Sequence, residues 1–241
     1  MSEKKPFNIK NKKIILAIYG EAGITVLTKL FELNIPLKNI LIFTHNIESN
    51  KRLISILKMY KLKYLYDDKK LEFLKKKFTN FKPNFFLSFY FRNKINYNLF
   101  NLNNCYSINM HPSLLPKYAG CFTNCWNILN NEKFTGITFH YLTENFDEGN
   151  IIFQKKIMIS KYDTAFSLHY KLINLACNYL YDVILHLYSK SPKGKKQNLK
   201  LRTYYERKLP YSGKLNKKWS KNKIRLFKRA MYFPPFDFRK I

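Results

Sequence analysis

The chain has 241 residues, 46% hydrophobic and 24% charged, with seven glycines and nine prolines; this excludes a disordered chain, a small disulfide scaffold and low-complexity material. Its 44 basic against 15 acidic residues leave a net charge of +29, a balance that ordinarily points to nucleic acid. Yet 37 of the basic residues are Lys and seven are Arg, the residue suited to bidentate phosphate and guanine contacts. The excess therefore reads as compositional drift that draws anionic substrates, and neither nucleic acid nor membrane insertion is expected. The apolar run Ile14 to Tyr19 is too short for a signal segment and is followed by Glu21. A cytoplasmic protein is the expectation.

Taken in order, Lys13 to Tyr19 is a continuous apolar run, as in a central parallel strand covered on both faces. It ends at Gly20-Glu-Ala-Gly23, which lacks the third glycine of a dinucleotide fingerprint and reads as a turn letting helix pack on strand. The spacing predicts a helix over Ile24 to Leu33, a strand over Asn39 to Thr44, a helix over Leu53 to Tyr60 and a strand over Lys63 to Tyr66. A helix over Leu71 to Phe78 and strands over Phe85 to Phe91 and Cys105 to Met110 follow. Strands alternating with helices predict an α/β, doubly wound, Rossmann-like and mostly parallel sheet.

The pattern then changes. Cys121 to Asn130 reads as helix, and Gly136 to Leu142 and Asn150 to Ile159 alternate as strands. Thr164 to Tyr188 is a long amphipathic helix, and Ser189 to Lys200 is polar and Lys-rich, a linker. A short appendage remains, with a basic helix from about Ser220 to Ala230 and an aromatic end, Met231 to Phe238. The expected division is a catalytic core over 1–190 and a carboxy-terminal extension over 191–241, read as a dimerisation element because its aromatic end is too apolar for water. The four cysteines form no CxxC pair, and no metal set is completed around Cys121 and Cys125.

Chemistry concentrates in Ser107-Ile-Asn-Met-His-Pro-Ser-Leu-Leu-Pro-Lys-Tyr-Ala-Gly120, in Gly136-Ile-Thr-Phe-His140 and in Asn145-Phe-Asp-Glu-Gly149. On a strand Asn109 and His111 share a face, at the carboxyl end where open sheets bind ligands. Asn can donate to a developing oxyanion, His can relay a proton, and Asp147 can support its charged form. The same Asn-x-His is also compatible with a hydrogen-bonded structural pair.

This stretch resembles the 10-formyltetrahydrofolate-dependent formyltransferase family, in Asn109, His111, Ser113 to Pro116, Gly136, Thr138, His140, Asp147, Gly149 and Gln154. The resemblance implies Asn109, His111 and Asp147 as the catalytic trio. It implies a folate co-substrate along Phe91, Arg92, Asn93, Lys94 and Ile95, along Ser113, Leu114, Leu115 and Pro116, and along Thr143 to Asp147, with no metal. Lys117 and Tyr118 are candidates for the sugar phosphates, Lys117 being equally readable as a solvated loop lysine. Ala119 stands where many relatives carry an Arg. Ser88-Phe-Tyr-Phe-Arg92 and the segment Trp219 to Phe236 resemble the sugar-modifying branch, and a chain ending at Ile241 leaves no room for the barrel of methionyl-tRNA formyltransferases. The implied function is N-formylation of a nucleotide-linked amino sugar, a dTDP-4-amino-4,6-dideoxyglucose, for O-antigen, by a homodimer. The alternatives are a methionyl-tRNA formyltransferase without its barrel and a non-catalytic basic nucleic-acid-binding module.

Overall fold

The structure is a computed structural model and describes residues 8–190 and 192–237. The first half alternates as expected: β1 (Ile14–Ile18), α1 (Gly20–Glu32), β2 (Ile40–Thr44), α2 (Lys51–Met59), β3 (Lys63–Tyr66), α3 (Leu71–Phe81), β4 (Phe85–Phe89), α4 (Tyr97–Phe100) and β5 (Tyr106–His111). Then come β6 (Ala119–Gly120), α5 (Thr123–Leu129), β7 (Phe134–Tyr141), β8 (Ile151–Met158) and α6 (Ala165–Lys190). The extension holds β9 (Tyr204–Tyr205), α7 (Lys221–Ala230), β10 (Tyr232–Phe233) and β11 (Phe236–Asp237).

One seven-stranded sheet runs β3-β2-β1-β4-β5-β7-β8. Its first five strands are parallel, and β7 and β8 add antiparallel. β1, β2 and β4 are buried at every residue, which is why they read as unbroken apolar runs. Ile14, Leu16 and Ile18 face one hydrophobic cluster with α1, α2 and α6, while Ile15 and Ala17 face another with α3 and α4. Strand order reverses between β1 and β4, which opens a crevice at the carboxyl ends of the strands.

Two expectations shift. Helix α1 begins at Gly20, not Ile24, because a Cβ at residue 23 would sit 2.9 Å from Ile18 Cβ and only glycine lets helix and strand approach that closely. Strand β4 stops at Phe89, where Tyr90 turns into the left-handed region at φ 53°.

The stretch read as a linker is part of the sheet's edge. Lys195 bridges Ile151 through two backbone hydrogen bonds of 2.8 and 2.7 Å, and Tyr141 Oη donates to the Pro192 carbonyl. The aromatic end is partly covered within the chain: Met231 is buried and Phe233 packs on Phe166 and His169 of α6. Exposure of that run is therefore less than the sequence suggests; Phe238 lies outside the described residues. Among the described residues no helix is long and apolar enough to cross a membrane.

Candidate active site

The antiparallel seam between β5 and β7 assembles the centre. Its register sets Asn109 opposite His140 and His111 opposite Thr138. Asn109 Nδ2 lies 3.1 Å from His140 Nε2. His140 Nδ1 donates to the Tyr141 carbonyl at 2.9 Å, so a neutral ring presents Nε2 as the acceptor for Asn109. This fixes the orientation of the Asn109 amide and leaves its second N–H for another acceptor.

Asp147 enters from the loop between β7 and β8. Its Oδ1 lies 3.4 Å from His111 Nδ1 and 3.6 Å from His140 Nε2, and its Oδ2 accepts from the Gly120 N–H at 2.8 Å. The loop is tight: Asp147 adopts φ 57°, and a Cβ at residue 149 would stand 1.8 Å from the Tyr141 carbonyl oxygen. His111 is 4% exposed, and its Nε2 donates to the Tyr118 carbonyl at 2.7 Å, which leaves Nδ1 as the basic nitrogen of the neutral ring.

Burial lowers the His111 pKa, against the opposing pull of Asp147 and the Tyr118 carbonyl. Burial alone would raise Asp147, but His111, His140 and the Gly120 N–H overcome it and hold the carboxyl below the usual carboxylate range. The centre is the Asp147 carboxylate between the His111 and His140 rings, with an oriented amide beside it.

The formyl transferase family model matches residues 39–184. GDP-perosamine N-formyltransferase of Brucella melitensis biotype 1 is 36% identical over 228 residues, 94% of this chain and 87% of the relative. The chain belongs to the formyl transferase family. Among solved structures, the sugar 3N-formyl transferase WlaRD, determined with dTDP and 5-N-formyl-THF, superposes with a TM-score of 0.73 at 25% identity, over 92% of this chain and 80% of that one. The N-formyltransferase from Helicobacter canadensis shares the fold, with a TM-score of 0.75 at 24% identity over 92% and 81% of the two chains.

This formyltransferase brings together the three residues expected to form its trio. The folate residues divide. Lys94 Nζ stands 5.7 Å above the Phe146 ring, so the 91–95 and 143–147 loops lie side by side. Phe91 instead turns inward, stacking on His45 and Phe43, and Ile95 packs on the core. Thr143 bonds within its loop, to the Asn145 carbonyl.

Ser113 to Pro116 is occupied with its own architecture. Ser113 Oγ donates to the Lys117 and Tyr118 carbonyls. Leu115 is buried, and its carbonyl accepts from Gln154, which also donates to Thr138. Tyr118 contributes its backbone to His111, but its hydroxyl donates to Glu132 at 2.7 Å and accepts from Asn130. Lys117 and Tyr118 line a hollow of about 180 Å³ with Leu114, Glu132 and Lys156.

Three features of the formyltransferase went unread in the sequence. His140 stood in a motif with no role, and only the β5–β7 register shows it holding Asn109. The extension sews the site loops together: Gln197 donates to the Asp147 and Gly149 carbonyls, and Thr203 meets the Tyr118 N–H and the Ala119 N–H. A hollow of about 250 Å³ also opens at the ends of β2, β3 and β4, lined by His45, Asp67, Arg92, Asn93 and Arg207. Arg207 had no signal, lying in a segment without periodicity.

Proposed function

We propose that the enzyme moves the formyl group of 10-formyltetrahydrofolate to the amine of a nucleoside-diphosphate-linked amino sugar. The observation that carries this is the convergence of Asn109, His111, His140 and Asp147 at the carboxyl end of β5. The folate lies along the 91–95 and 143–147 loops, which the Lys94–Phe146 contact brings together. The amine's nitrogen bonds to the formyl carbon, and the second N–H of Asn109 stabilises the tetrahedral oxyanion. His111 Nδ1 takes the proton the amine must lose, and Asp147 offsets the resulting charge. The bond from carbon to the folate nitrogen then breaks, and the proton passes to that nitrogen. His111 thus begins neutral.

For the nucleotide we take GDP first, in place of the dTDP expected from the sequence, because the relative named for GDP-perosamine spans nearly the whole chain at 36% identity. The dTDP reading is supported by the presence of dTDP with WlaRD. A two-fold homodimer through the segment after Lys200 is part of the proposal; that segment exposes Leu201, Tyr204 and Tyr211. Incubating enzyme, 10-formyltetrahydrofolate and GDP-perosamine while following tetrahydrofolate release tests the reading. Release that depends on the sugar is expected, and sugar-independent or absent release contradicts it.

A further inference from the structure

The hollow of about 180 Å³ has no role in the chemistry above, and it originates in a gap in the sheet. Strand β5 stops at His111, opposite Thr138, while β7 runs back to Phe134. Phe134 to Ile137 therefore have no strand beside them on that side, and the loop after β5 passes there instead. Its Leu115 N–H donates to Thr138 Oγ1 at 3.2 Å. Leu114 comes so close to Gly136 that a Cβ at residue 136 would stand 2.6 Å from Leu114 Cδ2. The hollow lies beside this contact, between Leu114, Lys117 and Tyr118 of the loop and Phe134 and Thr135 of the strand.

The polar groups around it are left incomplete by the protein. Thr135 is 1% exposed, and its Oγ1 has no hydrogen-bond partner among the described residues. A buried hydroxyl without a partner destabilises the empty site. Asn127 is equally buried; its Nδ2 donates to the Thr123 carbonyl at 2.7 Å, which leaves Oδ1 for another donor. Glu132 Oε1 accepts from the Tyr118 hydroxyl at 2.7 Å, which fixes the carboxylate and leaves Oε2. The exposed Lys117 and Lys156 complete the lining. Lys156 Nζ lies 3.9 Å over the Phe134 ring, and neither ammonium is ion-paired among the described residues.

Two ammonium point charges suit a phosphate, and the oxygens of Thr135, Asn127 and Glu132 suit hydroxyl donors. The volume lies below the range of about 300 Å³ upward that holds drug-sized ligands, so a nucleotide is too large for it. We infer that this hollow is a second ligand seat, for a small phosphorylated polyol, with the phosphate on Lys117 and Lys156 and the hydroxyls on Thr135, Asn127 and Glu132. Thr135 precedes His140 by five residues, about 16 Å along β7, so the occupant does not reach the reacting atoms. It touches instead the loop whose Tyr118 carbonyl holds His111. Lys117 then belongs to this seat and not to the nucleotide's phosphates.

The test is calorimetric titration of the full chain with glycerol 3-phosphate and with inorganic phosphate. It is run on wild type, Thr135→Val and Lys156→Gln, with and without GDP or dTDP, and thermal melting without ligand reports the fold. Wild type is expected to bind glycerol 3-phosphate about tenfold tighter than inorganic phosphate, through its hydroxyl contacts. Thr135→Val should weaken glycerol 3-phosphate about tenfold and leave inorganic phosphate within about twofold. Its melting temperature should match or exceed that of wild type, because the hydroxyl has no protein partner to lose. Lys156→Gln should weaken both anions about threefold or more. Neither nucleotide should change the glycerol 3-phosphate affinity. Failure of wild type to bind overturns the inference, and equal affinity for the two anions reduces the hollow to general charge attraction. Unchanged glycerol 3-phosphate binding in Thr135→Val overturns it too, as does a lowered melting temperature, which would give the hydroxyl a partner inside the protein. Displacement of glycerol 3-phosphate by GDP or dTDP would place the phosphate in the acceptor site and remove the second seat.

Discussion

The side-chain amide of Gln197 donates to the backbone carbonyl of Asp147 at 2.8 Å across 50 residues of sequence, and to the Gly149 carbonyl at the same distance. Gln197 is 6% exposed. The left-handed turn that aims the Asp147 carboxylate at His111 and Gly120 is therefore clamped from the extension, not only by its own glycine.

Gln197→Glu keeps the shape and removes both donors, setting a carboxylate against two carbonyls near Asp147. Stranding a buried carbonyl costs on the order of 1–3 kcal/mol. We expect kcat to fall by about 10-fold to 10²-fold with a smaller change in sugar KM. Steady-state kinetics checks this, and unchanged kcat in a folded variant would free the loop from the clamp.

His111→Asn and Asp147→Asn should each lower kcat by about 10² or more, with a smaller effect on sugar KM. Asn109→Ala should cost on the order of 3 kcal/mol, as for loss of one oxyanion donor. Because burial lowers the His111 pKa, the ring should lose its basic nitrogen only below pH 6.5. The pH profile of kcat/KM should therefore fall on the acid side, with its midpoint below 6.5. A profile that falls as pH rises through this range would mean that the reaction uses the charged imidazole.

His169 carries a pH-dependent part of the stability. Burial among Tyr90, Tyr170 and Phe233 pushes its pKa down from 6.5 to about 4. The unfolded chain binds this proton more readily, so the contribution is present above 6.5 and is lost as pH falls towards about 4. At about 1.4 kcal/mol per unit the loss reaches at most about 3 kcal/mol. Denaturant titrations at pH 7 and pH 4.5 should show it, and His169→Phe should flatten that part of the difference. An equal difference in the variant would assign the pH dependence elsewhere.

Much of the sheet was legible because burial writes itself into the chain. β1, β2 and β4 are apolar at nearly every position, and Lys63–Tyr66 was read with its observed ends. Asn109, His111 and Asp147 were legible through a motif. The pairing of Asn109 with His140 was not, because register between two strands 31 residues apart is set by packing. Gln197 was hidden in a polar, Lys-rich stretch with no periodicity, and nothing local says that its amide closes a distant turn. Tyr118 misled for the opposite reason: adjacent in sequence to Lys117, it sends its ring to Tyr205 and its hydroxyl to Glu132.

The central claim is formyl transfer to the amine of a nucleotide-linked sugar. Mass spectrometry of a panel of GDP-, dTDP- and UDP-linked amino sugars after incubation with enzyme and 10-formyltetrahydrofolate tests it most directly. Charged initiator tRNA is included as a competing acceptor. The expected result is gain of one formyl group by a GDP-linked sugar first, with tetrahydrofolate released in equal amount. Equal rates on amines at positions three and four would mean that the site does not fix the acceptor amine against the formyl carbon, since misplacement by about 1 Å can cost ~10². Formylation of the tRNA with no nucleotide sugar modified would overturn the assignment.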